Sequence, residues 1–309
     1  MTRRLAAEYA GLGLVLVALV AGFGLATDHF LTPTTLRTIA NQVPDVLLVA
    51  TGMTLVIVAG GIDLSVGSVL ALSGAVLGVA LTDWQLPLPV GVAAALGIAA
   101  ACGLANGLLV TRWALPSFIV TLGMLEIARG GAYLVTRSET KYIGATVEGL
   151  NAPVAFGLTG GFVLAIAAVV AGQFLLTRTV FGRHLVAVGA NESAAWLSGV
   201  NPRPVRLAAF TLASCMAGLA AVTQTARLAS ADPNAGIGLE LQAIAAVVIG
   251  GTSLMGGRGS VVNTMFGVLI IAVLGAGLAQ MGVQEPTRRL VTGGVIIAAV
   301  IVDYYRTRR

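Results

Sequence analysis

Charge is what this sequence has least of. Only 10% of its 309 residues are Asp, Glu, Lys or Arg, against roughly a quarter in soluble domains. So few charges cannot cover a globular surface of this size with water-binding side chains. Of the 18 basic residues only Lys141 is a lysine. The 2 cysteines, Cys102 and Cys215, lie far apart within apolar runs, which leaves no disulfide framework and no thiolate cluster for a metal. The 2 histidines, His29 and His184, stand alone, without metal-ligand spacing. No G-x-x-x-x-G-K-[ST], H-E-x-x-H or G-x-S-x-G pattern occurs, so neither a phosphate-cradling loop nor a hydrolytic constellation is written here. The net charge of +5 sits mainly in tails and loops; membrane topology accounts for that placement better than a nucleic-acid partner does.

What remains is apolar. The chain is 57% hydrophobic and holds 40 glycines. Its apolar runs approach the length of a bilayer crossing and show no short alternating segments. That pattern predicts an all-α integral membrane protein and excludes a β-barrel. The runs are Tyr9–Ala26, Ile39–Ala59, Val66–Leu81, Leu86–Val110, Leu115–Val135, Ala152–Leu176, Leu207–Thr225, Ile237–Gly251, Val261–Met281 and Leu290–Tyr305. They predict about ten transmembrane helices in one domain over residues 1–309, with eight or nine also open. The first run is longer than a signal-peptide core and reads as a retained anchor. With ten spans and the N-terminus inside, Arg3, Arg4, Arg112, Arg178, Arg183, Arg203, Arg206, Arg258, Arg306, Arg308 and Arg309 are cytoplasmic. Arg37, Arg137, Lys141, Arg227, Arg288 and Arg289 are outside. The excess favours both termini in the cytoplasm, Arg288 and Arg289 being the poorest fit.

A few polar residues interrupt the runs. In "GGIDLSVGS" (Gly60–Ser68), Gly60 and Gly61 favour a break, after which Asp63 or Ser65 can cap the next helix. Irregular backbone at that depth must be buried or face water, so the break is a candidate pathway or gate. Its pattern is echoed by "VIGGTSLMGGRGSV" (Val248–Val261); paired breaks often flank a transport route. Glu126 and Arg129 share a helical face at i,i+3, which predicts a structural ion pair, with a polar pathway wall as the alternative. Asp45 and Asn106 are polar intrusions without an evident partner. The longest loop assigned to the cytoplasm, Thr177–Arg206, contains "NESAAWLSG": Asn191 as N-cap, then Glu192, Ala194, Ala195, Leu197 and Ser198 in a short helix that Gly199 stops. Such a helix packs on its own protein, on the lipid interface or on another subunit.

Several of these blocks, in order and over nearly the whole chain, resemble the ribose permease family, the membrane subunits of bacterial ABC sugar importers. They are "GMTLVIVAGGIDLSVGSVLALSGAV" (Gly52–Val76), "FIVTLGML" (Phe118–Leu125), "RGGAYLVT" (Arg129–Thr136), "FGRHLVAVGANESAAWLSGVN" (Phe181–Asn201) and "ELQAIAAVVIGGTSLMGGRGS" (Glu240–Ser260). The resemblance implies a fold like that of type II ABC importers and a homodimer in the bacterial inner membrane. It implies two partners, a cytoplasmic ABC ATPase and a periplasmic or lipid-anchored sugar-binding protein. ATP and Mg belong to the ATPase, so no cofactor and no bond chemistry are expected on this chain. Asn191–Gly199 becomes the ATPase-coupling helix. Gly60, Gly61, Asp63, Ser65, Phe118, Thr121 and Gln242 become the pathway or gate candidates. The expected substrate is a monosaccharide, ribose or another pentose or a galactose-type sugar. Three positions depart from the family pattern: Gln242 in place of Asp, Ala190 in place of a second glycine, and Trp196 in place of a basic residue. The rival reading is a self-powered secondary transporter of a small polar solute, with Asp63 or Glu126 as its ion site.

Overall fold

Prolines and glycines cut the apolar runs into helices. The computed structural model describes residues 2–307. Helix α1 (Thr2–Ala26) is followed by α2 (Pro33–Gln42), whose first turn is capped by the Thr32 hydroxyl. Pro44 then opens α3 (Pro44–Val58). Proline has no N–H to continue a helix, and α2 and α3 meet there at 45°. The chain runs without regular structure over 61–65 before α4 (Val66–Thr82) begins. Helices α5 (Leu88–Arg112) and α6 (Ser117–Thr136) follow, each entered through a proline.

The connection after α6 carries strand β1 (Lys141–Tyr142), the single turn α7 (Ala145–Glu148) and a hairpin of β2 (Pro153–Ala155) and β3 (Leu158–Thr159). Helices α8 (Gly160–Arg178), α9 (Val180–Ala190), α10 (Glu192–Leu197) and α11 (Pro202–Leu228) come next. Strand β4 (Ser230–Ala231) pairs antiparallel with β1, Lys141 opposite Ala231. The chain ends with α12 (Leu239–Ile249), α13 (Val261–Gln280) and α14 (Glu285–Thr307).

The centre is formed by α3 and α4, buried along almost their entire length. Helices α5, α6 and α11 close around them. On α5, Gly103 and Gly107 let α11 approach to backbone contact: a Cβ would lie 2.7 Å from the Phe210 carbonyl oxygen at Gly103 and 2.9 Å from Leu207 Cα at Gly107. Association through small residues is how helices pack where no hydrophobic drive separates side chains from solvent. It explains part of the glycine content.

The expectation of about ten spanning helices is met in part. Five helices, α5, α6, α8, α11 and α13, are long and apolar enough to cross a membrane, and the bent pair α2–α3 makes a sixth. Every one of the ten apolar runs coincides with a helix or helix pair, but α4 and α12 are shorter than a crossing. The run placed at Ala152–Leu176 is a helix only from Gly160. Pro153 and a turn with Phe156 and Gly157 at positive φ fold its first residues into the hairpin instead.

Contacts sort the molecule into two ends. At one, the Gly257 amide donates to the Val58 carbonyl (2.9 Å) and Arg206 pairs with Glu192 (2.7 Å). At the other, Lys141 pairs with Asp83 (3.1 Å), Asn41 holds Gly157 and Thr159, and Gln280 donates to Thr35. Successive long helices alternate between these ends, as a serpentine membrane chain requires.

Candidate functional site

The break after α3 is built by its neighbours. Gly60 takes φ +78°, open to glycine at little strain; Gly61 does not, and its constraint is the Phe210 ring, 3.0 Å from where a Cβ would lie. The Ile62 amide donates to Ser117 Oγ and the Leu64 amide to Thr121 Oγ1, both at 3.0 Å. The extended segment therefore climbs alongside the first turns of α6, and α4 begins inside the bundle rather than at its edge.

Asp63 does not cap α4, contrary to the sequence expectation. Its Oδ1 accepts the Ser65 amide (2.9 Å) and the Ser65 hydroxyl (2.6 Å), closing a local turn. Ser65 occupies the N-cap position without a side-chain capping bond. The Ser65 oxygen in turn accepts from Asn106 Nδ2 (2.9 Å) on α5. Asp63, Ser65 and Asn106 are each 0% exposed. Asp63 Oδ2 and Asn106 Oδ1 have no hydrogen-bond partner among the described residues.

The short helix α10 forms as its residues predict. Asn191 Oδ1 accepts the Ala194 amide (2.9 Å), and Gly199 ends the helix at φ +84°. Its faces differ from the expectation. Ala195, assigned to a docking contact, is turned inward at 5% exposure, while Trp196 (58%) and Leu197 (86%) project outward. Glu192 binds Arg206 of α11, and Arg206 Nε donates to the Ala59 carbonyl (3.3 Å) at the end of α3. One guanidinium thus ties α10 to the break. A second tie is steric: at Gly189 of α9 any Cβ would collide with the Val58 carbonyl oxygen. Between α10, the α5–α6 turn and the break lies a cavity of about 680 Å³, lined by Gly60, Gly61, Ser117, Trp196, Arg203 and Arg206 among others. The echo segment closes the same corner, with Gly256 and Gly257 against Gly189 and Ala190.

Glu126 and Arg129 are not an ion pair. Arg129 Nη1 donates instead to the carbonyls of Pro233 (2.6 Å) and Ala235 (2.8 Å), holding the α11–α12 connection against α6. Glu126 is exposed and forms no hydrogen bond or salt bridge among the described residues, its charge reaching Arg129 only at longer range. Two backbone carbonyls at the end of a long side chain displaced the i,i+3 partner. Gln242, on the exposed side of α12, is not brought to the break; Thr121 is, and Phe118 stands beside it half exposed at 52%.

Two partnerships escaped the sequence. Asp45 at the start of α3 meets Arg227 Nη2 (2.5 Å) and Thr223 Oγ1 (3.0 Å) on α11. Asn106 meets Ser65. A buried acid predicts some basic partner, but separations of 182 and 41 residues gave no means of choosing it. At the start of α14, Glu285 pairs with both Arg288 (2.6 Å) and Arg289 (3.0 Å). Among the described residues no group of three His, Cys, Asp or Glu side chains is arranged to hold a metal.

Comparison with known proteins gives a consistent result. Residues 35–300 match the family model described as branched-chain amino acid transport system / permease component. The ribose import permease protein of Escherichia coli strain K12 is 38% identical over 297 residues, covering 94% of this chain and 92% of that protein. The fructose import permease protein of Rhizobium meliloti is 38% identical over 304 residues, 94% of this chain and 84% of that one. The L-arabinose ABC transporter permease protein of Azospirillum brasilense is 32% identical over 305 residues, 96% and 87% of the two chains. No solved structure matches the chain.

Proposed function

The chain belongs to this family of transport-system permeases, and from that premise we propose that it is the membrane-spanning subunit of an ATP-binding-cassette importer for a monosaccharide. The family description names branched-chain amino acids, whereas the full-length relatives are named for ribose, fructose and arabinose. Near-complete coverage by sugar permeases outweighs the broader family label. Ten membrane-embedded segments fit the reading: α1, the pair α2–α3, α4, α5, α6, α8, α11, α12, α13 and α14. Both termini then lie in the cytoplasm, and α9, α10, Arg203 and Arg206 do too.

The observation that carries the mechanism is α10. It is a capped helix of six residues that shows Trp196 and Leu197 to solvent and is linked through Glu192 and Arg206 to the break. Apolar side chains held out on so short a helix suit a groove on a cytoplasmic ATPase, which binds ATP and Mg and supplies the energy. Docking at α10 then moves the end of α3, the break and the start of α4. The functional unit is a homodimer of this chain with that ATPase and an external sugar-binding protein. Substrate moves without bond chemistry, so the catalytic residues are on the ATPase.

The test is co-purification. Tagged permease should bring an ATPase and, in the presence of sugar, a binding protein; that binding protein should be screened against D-ribose, D-fructose, L-arabinose and D-allose. Leu197→Arg should lose the ATPase while the permease stays folded. Recovery of the permease alone from gently solubilised membranes, with uptake intact, would contradict the proposal.

A further inference from the structure

Glu126 stands midway along α6. It is the tenth of the 20 residues of α6. At 1.5 Å per residue it lies about 15 Å from either end, the centre of a hydrocarbon core about 30 Å thick. It is exposed, and no described residue bonds it. An ionisable group at that depth cannot be left facing acyl chains; it faces a water-filled cavity or another protein surface.

The surroundings choose between these. Gly123 and Gly130, next to Glu126 on the same helical face, have nothing within 4 Å of where a Cβ would be, so the helix surface beside the carboxylate is open on both sides. Two turns on, Tyr133 lies on that face, and its hydroxyl donates to Asn234 Oδ1 (2.7 Å). Arg129 fixes Asn234 there by gripping the carbonyls on either side of it, and Asp232 Oδ1 accepts the Asn234 amide (2.8 Å). Asn234 is exposed. A carboxylate, a phenol and a carboxamide are therefore aligned along one open face of a spanning helix. Below Glu126 the face continues through Leu122 (50% exposed) and Ile119 (54%) toward Ser117, an apolar stretch suited to a constriction. A dry seam between two copies would strip water from the two Glu126 carboxylates while the Arg129 guanidinium of the same helix is bonded to the Pro233 and Ala235 carbonyls, whereas a hydrated route needs this set of groups.

We propose that this face of α6 is a wall of the sugar path, with Glu126, Tyr133 and Asn234 as the groups that exchange hydrogen bonds with the hydroxyls of a polyhydroxylated solute. A carboxylate accepts from two adjacent hydroxyls at once, and an amide both donates and accepts. The inference rests on the sugar-permease reading and adds where in the chain the solute is met. Arg129 is a positioning residue in it, acting through the 233–235 segment.

The experiment has two arms. In a Cys102→Ala, Cys215→Ala background of the permease–ATPase complex in vesicles, Glu126→Cys is treated with a charged, water-borne thiosulfonate. Val170→Cys, on the exposed face of α8 (63%), is the lipid-facing comparison. The Glu126→Cys variant should react at least about tenfold faster, since only hydrated thiols form the reactive thiolate. Equal inertness at both positions overturns the proposal, and so does a spontaneous disulfide between two copies of Glu126→Cys with no reagent access, the mark of a dry seam. In the second arm, uptake of labelled D-ribose, D-fructose and L-arabinose is followed for Glu126→Gln and Glu126→Leu. Loss of a site's hydrogen-bonding group costs more than a change of its shape. Glu126→Leu should lose at least about tenfold of uptake and Glu126→Gln much less, with ATPase association unchanged in both. Parental uptake by Glu126→Leu overturns the assignment. Absence of uptake of all three sugars by the parent counts against the sugar reading itself, while the labelling arm still decides whether the wall is hydrated.

Discussion

Replacing Asp63 separates an acceptor from a charge. The structure gives its carboxylate two donors, the Ser65 amide and hydroxyl, both on Oδ1, and no cation. Asp63→Leu strands both donors where the site is 0% exposed; at about 1–3 kcal/mol per buried unpaired group the loss is about 2–6 kcal/mol. Asp63→Asn keeps an oxygen in the Oδ1 position. Its new N–H₂ replaces Oδ2, an atom that had no partner, in a pocket where Asn106 Oδ1 also lacks one. The Asn variant should therefore stay within about 1 kcal/mol of the parent, as expected when no hydrogen bond is lost. Detergent or denaturant unfolding of the three proteins, with ATP-driven uptake measured beside it, gives the comparison. The reasoning fails if Asp63→Asn is destabilised as much as Asp63→Leu, because the charge would then matter more than the acceptor. It fails differently if Asp63→Asn is stable and inactive, the signature of a carboxylate that carries protons.

Glu192 and Arg206 should be exchangeable in part: Glu192→Gln leaves the Arg206 bond to Ala59 and should weaken coupling between ATP turnover and uptake. Reversing the pair (Glu192→Arg with Arg206→Glu) should restore some of it, measured as ATP hydrolysed per solute moved. Gly189→Val should fail to fold or assemble, because its Cβ meets the Val58 carbonyl, whereas Gly199→Ala has open space and only a positive φ to accommodate; the latter should cost about 1–2 kcal/mol in a melting experiment. Outside the membrane, the Thr82 hydroxyl and then the Lys141 ammonium hold the Asp83 carboxyl below its usual 3.8. With a folded-state pKa below the unfolded one, its stabilising contribution is present above pH 3.8 and is lost as pH falls through the lower folded value. Asp83→Asn should thus flatten the most acid part of the melting-versus-pH curve: the variant melts slightly below the parent from above pH 3.8 to neutrality, and the two converge at the acid end.

What the sequence made legible was local. Asn191 and Gly199 delimit α10 because a cap and a stop act within a few residues, and the apolar runs locate the helices because burial and lipid both select on composition. Long-range pairing was not legible. Asp45 finds Arg227 and Ser65 finds Asn106 only once α3, α4, α5 and α11 are packed. The i,i+3 spacing of Glu126 and Arg129 offered an obvious pair, and the structure sends Arg129 elsewhere. No periodicity encodes the path of residues 232–238 back along α6, so the carbonyls that capture Arg129 had no signal. Ala195 failed for a related reason: a six-residue helix has too few turns to reveal which side faces inward. The break at Gly60 was located correctly, but its chemistry was assigned to a helix cap when it is a turn closed by Asp63 on Ser65.

The energy source tests the central claim most directly. In sealed vesicles holding the permease with its co-purified ATPase and binding protein, uptake of the sugar that the binding protein retains should start on adding Mg-ATP to the ATPase side. It should persist when a protonophore and a sodium ionophore collapse the ion gradients, and stop with Leu197→Arg. Uptake that proceeds without the ATPase and disappears with the ion gradients would contradict the account and identify a self-powered transporter.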